Sequence, residues 1–205
     1  MKLYDSRRAP NPRRVRWFMA EKHIEDIEIV EVDIFGGDHR QPDYLAMAGL
    51  PNVPALELDD GTGITESIAI CRYLESLYPD PNLFGTNPLE IAMVEMWLRR
   101  AEMMVATPLM MTVRHGHPAL AALEQQVPAL ATSQRATAER GVKMLDRRLA
   151  DSAFIASDRV TIADIVAFTA IDFARMVKFK PDETLTHVAR WADAMRGRAA
   201  ASAGV

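Results

Sequence analysis

A chain of 205 residues with 49% hydrophobic content is long enough for one large domain or two small ones, each with its own core. A net charge of −4 with both signs interspersed argues against nucleic acid as a partner, and a single cysteine excludes an internal disulfide framework and fits a reducing compartment. No segment approaches the roughly 20 continuous apolar residues of a membrane span, and the N-terminus lacks an apolar signal-peptide core, so a cytoplasmic protein with no membrane partner is expected.

The chain opens with a short strand at Leu3-Tyr4, in which Tyr4 reads as a sheet-facing aromatic. Arg7, Arg8, Arg13, Arg14 and Arg16 form a local basic cluster, read for the most part as the solvated face at the start of a helix, with one or two placed to steer an anionic peptide. An amphipathic stretch from Arg13 to His23 follows, then a strand from Ile29 to Ile34, where Val30, Val32 and Ile34 alternate with Glu31 and Asp33. This is a βαβ unit. Next come a strand at Ala55-Leu56-Glu57-Leu58, a turn at Asp59-Asp60-Gly61, a short strand from Gly63 to Thr65 and a helix from Ser67 to Leu77. Together they describe a thioredoxin-like domain over residues 1–80. The prolines of Tyr78-Pro79-Asp80-Pro81 end the helix and stiffen a linker over 81–87.

From Pro88 onward strand signals vanish and the apolar spacing is helical, predicting an all-helical bundle domain over 88–205 and an α/β plus all-α fold class. Pro88 suits the first turn of a helix through Trp97, and Pro108 should kink or interrupt the run before Arg114-His115-Gly116-His117-Pro118. Leu130, Gln134, Ala138, Val142, Leu145 and Leu149 share one stripe. The stretch Ile162 to Phe179 is apolar nearly all round and predicts a central buried helix, opened by the capping box Thr161-Ile162-Ala163-Asp164 with a Val160–Ile165 staple. Leu185, Val188, Trp191 and Met195 give a last amphipathic helix, after which Ala199 to Val205 should fray.

Two places in this frame invite a ligand. Pro54 has no amide hydrogen and turns cis at modest cost, so directly before a strand it leaves the backbone of Val53 outside the sheet and open to a partner. Glu66-Ser67 stands where a strand feeds a helix, and the free amides of a helix start, with the dipole behind them, favour a carboxylate. Other chemistry-bearing residues read more plainly. Cys71, among Ile68, Ile70 and Leu74, reads as a small buried side chain, and His115 and His117 have neither the spacing nor the neighbours of a metal site.

Val53-Pro54 and Thr65-Glu66-Ser67, with the run Ile68 to Leu74 behind them, resemble the glutathione-binding half of glutathione S-transferases, and the resemblance extends over the whole chain. It implies that the Val53 main chain pairs with the cysteinyl unit of glutathione while Glu66 and Ser67 hold its γ-glutamyl end. Gly37-Asp38-His39-Arg40-Gln41-Pro42-Asp43-Tyr44-Leu45 resembles a segment whose histidine, here His39, reaches the glycyl carboxylate, and Asn52 stands where a longer side chain often helps. Ala9-Pro10-Asn11-Pro12-Arg13-Arg14-Val15-Arg16 resembles the motif of serine-type members, with Ala9 in place of the serine. A thiol near pKa 8.5 is mostly protonated at neutral pH, so something must favour its anion. Asn11 is the candidate donor, with Ser6 behind it. Asn11 followed by proline is also what an N-cap looks like, and the two readings are compatible.

Six of the twelve methionines fall between Met93 and Met111. In the family the corresponding helix lines a pocket for a hydrophobic co-substrate, which makes Met103, Met104 and Arg114 the candidate lining here. The resemblance implies a homodimeric transferase that adds glutathione to small hydrophobic electrophiles, with glutathione as co-substrate and neither prosthetic cofactor nor metal. Glutathione-dependent disulfide or peroxide reduction, and a non-catalytic glutathione-binding regulatory protein, are the alternatives that the missing serine leaves open.

Overall fold

The computed structural model describes residues 1–203. The chain divides into two units, residues 1–81 joined by the segment from Ala199 onward, and Asn82–Arg198.

The first unit is built on a four-stranded sheet of order β2-β1-β3-β4, formed by β1 (Lys2–Asp5), β2 (Glu28–Glu31), β3 (Ala55–Glu57) and β4 (Gly63–Thr65). β1 and β2 are parallel, joined by helix α1 (Pro10–Glu21), whereas β3 runs antiparallel to both β1 and β4. Period-two alternation sorts the side chains. Leu3 and its register partner Leu56 are fully buried, whereas Tyr4 and its partner Ala55 belong to a cluster with Val32, Tyr44 and Ala48. Tyr44 and Ala48 come from helix α2 (Pro42–Ala48), and the Tyr4 and Tyr44 rings meet edge to face at 5.7 Å. Helix α1 packs against α3 (Ser67–Leu77), with Val15, Trp17, Phe18, Ile70, Cys71 and Leu74 buried.

The strand expected to reach Ile34 ends at Glu31, and Val32 N–H gives the last bond of the β1–β2 ladder to the Asp5 carbonyl. β3 ends at Glu57, and Leu58 N–H closes the hairpin turn onto the Thr62 carbonyl. Helix α1 starts at Pro10, three residues before the amphipathic pattern is visible, since the fixed φ of proline suits a first helical position. The arginines depart most from expectation. Arg7 and Arg8 are exposed, but Arg14 and Arg16 are buried, and the Arg13 guanidinium lies 5.8 Å from the Trp17 ring and donates to the Ala201 carbonyl.

The second unit is helical: α4 (Pro88–Ala101), α5 (Thr107–Gly116), α6 (Pro128–Leu149), α7 (Ile162–Phe173) and α8 (Thr186–Arg196). α5 packs on α6, α4 on α7 and α6 on α8. Residues placed in a linker are anchored here instead: Arg159 donates to the Asn82 carbonyl and pairs with Glu90, and Ile162 N–H donates to Leu83. α4 runs past Trp97 into a π-helical segment, Glu102–Ala106, before α5 begins. Pro108 explains the irregularity. It has no N–H for the carbonyl four residues back, Met104, and one wider turn, closed by Thr107 N–H onto Glu102, absorbs the mismatch. Gly141 on α6 meets that freed carbonyl, and a Cβ there would lie 2.1 Å from it.

The capping box forms as read, and Asp164 does more than cap. Its fully buried carboxylate accepts from Thr161 N–H at 2.9 Å, Thr161 Oγ1 at 3.0 Å, Ile155 N–H at 2.8 Å and Trp191 Nε1 at 2.9 Å. α7 stops at Phe173, not Phe179, where a 3-10 turn over Ala174–Val177 hands over to Lys178 at φ 55°. The carboxy-terminal boundary and the expected fraying are also corrected. Ala199–Ser202 forms a 3-10 turn with Ala200 buried, and it packs on α1 of the first unit. Gly204 and Val205 lie outside the described residues.

Candidate active site

Register alone brings the first unit's candidates together. Ala55 pairs with Thr65 and with Tyr4, so the residues just before β3, just after β4 and just after β1 leave the sheet at one end. Those residues are Asn52-Val53-Pro54, Glu66-Ser67 and the turn Ser6–Ala9 that leads into α1. β2 is parallel to β1, so the segment carrying His39 departs from the same end.

The Val53–Pro54 peptide is cis, as expected, and β3 begins only at Ala55, so Val53 lies beyond the ladder. Pro54 is buried and Val53 half-buried. Asn52 is exposed, its carbonyl accepting from the Tyr44 hydroxyl, which burial pushes up to about 12. Glu66 is the residue before α3 and has φ 67°, a conformation that costs a side-chain-bearing residue of order 1 kcal/mol or more. Ser67 is buried as the first residue of α3. Its Oγ accepts from Arg14 Nη1 at 3.4 Å, so a guanidinium from α1 reaches a helix start that already favours anions.

His39 sits in a 3-10 turn, Asp38–Arg40, and is buried, with its Nδ1 lacking a hydrogen-bond partner among the described residues. Burial and then the adjacent Arg40 charge hold its imidazole below the usual histidine range, against the pull of Asp38. An unpartnered buried ring nitrogen is what a ligand would complete.

At the start of α1 the N-cap is Ala9, not Asn11. Ala9 N–H donates to the Ser6 carbonyl, and neither Pro10 nor Pro12 has an N–H to give. The first turn therefore concentrates its donor capacity in Asn11, whose backbone N–H has no i−4 partner and whose half-buried side chain makes no hydrogen bond among the described residues. The cap reading of Asn11 is thereby corrected. Ser6 is buried at the end of β1. The Tyr4 hydroxyl is committed to Glu57 Oε2 at 2.8 Å, a bond that raises its pKa, and burial pushes the Cys71 thiol well up.

In the second unit Met103 and Met104 lie in the π-helical segment, 61% and 37% exposed. Arg114 is exposed near the end of α5 and pairs with Glu124. A cavity of about 450 Å³ in this unit is lined instead by Phe168, Phe179, Leu185, Val188 and Trp191, and none of the three candidates borders it. His115 and His117 do structural work: their Nδ1 atoms accept from Val127 N–H and Ala119 N–H. No group of His, Cys, Asp and Glu among the described residues can hold a metal ion, and no helix is long and apolar enough to cross a membrane.

Residues 9–77 match the model of the glutathione S-transferase N-terminal domain, and residues 98–199 that of its C-terminal domain. The chain belongs to the glutathione S-transferase family. It is an enzyme of transferase type with glutathione as its co-substrate. Glutathione S-transferase 2 of Saccharomyces cerevisiae is 33% identical over 201 residues, 97% of this transferase and 86% of the relative. The crystal structure of Gtt2 from the same yeast superposes with a TM-score of 0.93 at 32% identity and full coverage of both chains. A glutathione S-transferase domain-containing protein of Marinobacter aquaeolei gives 0.91 at 36% identity, over 98% of this chain and 99% of that one.

For two arginines of this transferase the solvated-face reading does not hold. Arg14 beside Ser67 and Arg16 beside Asp5 look, in sequence, like any basic helix start. The available signal was their position two apart on a helix whose apolar residues Val15, Trp17 and Phe18 leave little room for a solvated face.

Proposed function

We propose that this transferase conjugates glutathione to small hydrophobic electrophiles by holding its thiol as the thiolate. The observation that carries the reading is the convergence of an unpaired backbone at Val53, the α3 start at Glu66-Ser67 and the donor-bearing α1 start at one end of the sheet. In this reading the Val53 main chain and Pro54 align the cysteinyl unit. Glu66 takes the γ-glutamyl ammonium, and Ser67, with the α3 amides, takes the adjacent carboxylate. His39 and Asn52 flank the glycyl carboxylate. Asn11 donates to the sulfur, with Ser6 as the reserve donor, and the thiolate displaces a leaving group from the electrophile with no covalent enzyme intermediate.

For the second substrate, Met103 and Met104 are the proposed lining, supported by their exposure and by the adaptability of thioethers. Arg114 lies 11 residues further along, about 16 Å of helical rise, and can mark only the far end of such a pocket. By the same family resemblance we propose a cytoplasmic homodimer with a role in detoxification. A second reading, glutathione-dependent disulfide or peroxide reduction, draws support from Ala9, which removes the serine hydroxyl, and from the free Asn11 amide. An ultraviolet difference spectrum of the glutathione complex tests the shared premise, since a thiolate band at neutral pH is expected and its absence refutes thiol activation. Turnover of an aryl halide against turnover of a mixed glutathione disulfide then separates the two readings.

A further inference from the structure

The turn between β1 and α1 is held by a buried charge pair to which no ligand-binding role falls. Asp5, at the end of β1, is 2% exposed, and Arg16, on α1, is 8% exposed. Arg16 Nη1 donates to both carboxylate oxygens of Asp5, and Arg16 Nη2 donates to the Arg7 carbonyl at 2.8 Å, inside the turn. The Asp5 carbonyl accepts from Val32 N–H. One guanidinium fork thus ties the strand end, the turn and the helix together. The guanidinium and the carboxylate it grips carry opposite charges, so the pair brings little net charge to its surroundings.

We infer that Arg16, with Asp5, is a positioning residue for thiol activation: it fixes the angle at which α1 presents Asn11. The inference rests on the reading of Asn11 as thiolate donor. Arg16 lies five residues along α1 from Asn11, about 8 Å of helical rise, so a tilt of about 8° about the clasp moves the Asn11 amide by about 1 Å. A displacement of that size weakens a hydrogen bond aimed at a sulfur and lowers rates by up to about 100-fold. Because the pair is nearly neutral as a whole, its effect is exerted through geometry. Lysine at position 16 would keep the charge and lose the fork that spans Asp5 and the Arg7 carbonyl.

The test uses the full chain as Arg16→Lys and as the double variant Asp5→Asn with Arg16→Gln, which removes both charges without leaving one buried alone. The pKa of bound glutathione is read from its ultraviolet thiolate band, and affinity is read by calorimetry with S-methylglutathione, which has no thiol to ionise. Expected is a rise of about one unit in the bound-thiol pKa, equivalent to about tenfold less thiolate, with S-methylglutathione affinity changed less than about twofold. A bound-thiol pKa equal to wild type in either folded variant overturns the inference and leaves the transferase reading standing. So does a parallel loss of S-methylglutathione affinity, or failure of both variants to fold, either of which makes the pair structural. A wild-type complex without a lowered thiol pKa removes the thiolate reading itself, and this inference with it.

Discussion

Replacement of Asn11 by alanine separates activation from stability in a way the sequence alone does not allow. Were Asn11 the N-cap, its loss would cost about 0.5–2 kcal/mol of helix stability and confound any fall in activity. Ala9 holds that position, and Asn11 is the second helical residue with no hydrogen bond from its side chain among the described residues. Alanine is the better helix former there, so Asn11→Ala is expected to change the unfolding free energy by less than about 0.5 kcal/mol. A hydrogen bond to a charged group contributes about 1.5–3 kcal/mol, and water would replace part of it. At about 1.4 kcal/mol per pKa unit, the bound thiol should rise by about one unit, with roughly tenfold lower turnover at neutral pH. The thiolate band measured against pH gives the first quantity, and initial rates with an aryl halide give the second. A folded Asn11→Ala protein with an unchanged bound-thiol pKa refutes the assignment, and Ser6→Ala then becomes the decisive variant.

Ser67→Ala should weaken glutathione binding by about 1–3 kcal/mol in calorimetry, through loss of a hydrogen bond to a charged group, and no detectable heat from the wild type at millimolar glutathione would count against the whole site. His39, whose pKa burial and then Arg40 lower, should make S-methylglutathione bind more tightly as pH falls from about 8 to 5.5, because a carboxylate favours the imidazolium. His39→Gln should flatten that dependence, and an identical slope in the variant would remove His39 from the site. Asp164→Ala strands the buried donors of Ile155, Thr161 and Trp191 and should cost on the order of 4 kcal/mol in urea unfolding. A loss below about 1 kcal/mol would show those donors finding other partners.

What was legible in the sequence is what is encoded locally. The hairpin from Ala55 to Thr65, the helix from Ser67 to Leu77 and the box at Thr161 and Asp164 each depend on residues within a few positions of one another, and each formed. The buried arginines did not announce themselves, because Arg16 is held by Asp5 and Arg7 only once α1 has folded back over β1. The Ala9 cap was missed for a related reason: alanine carries no capping signal, and the proline after it sets the helix start. At the far end, Ala199–Ser202 reads as a small-residue tail, and it is ordered by packing against a helix nearly 190 residues earlier in the chain, with Arg13 donating to Ala201.

The least legible region is the one on which substrate choice would depend. Pro108 signals an irregularity, but a kink, a break and a wider turn all relieve the same missing N–H. What favours the wider turn here is Gly141, 33 residues downstream, whose bare Cα lets α6 approach the Met104 carbonyl that Pro108 leaves unmatched. The π segment in turn sets the direction of Met103 and Met104, since one extra residue in a turn rotates everything after it by about 100° relative to a regular helix. Helical spacing read from Pro88 therefore holds only as far as Ala101. Beyond that point the register follows the turn that Pro108 widens and Gly141 accommodates, and this turn orients Met103 and Met104.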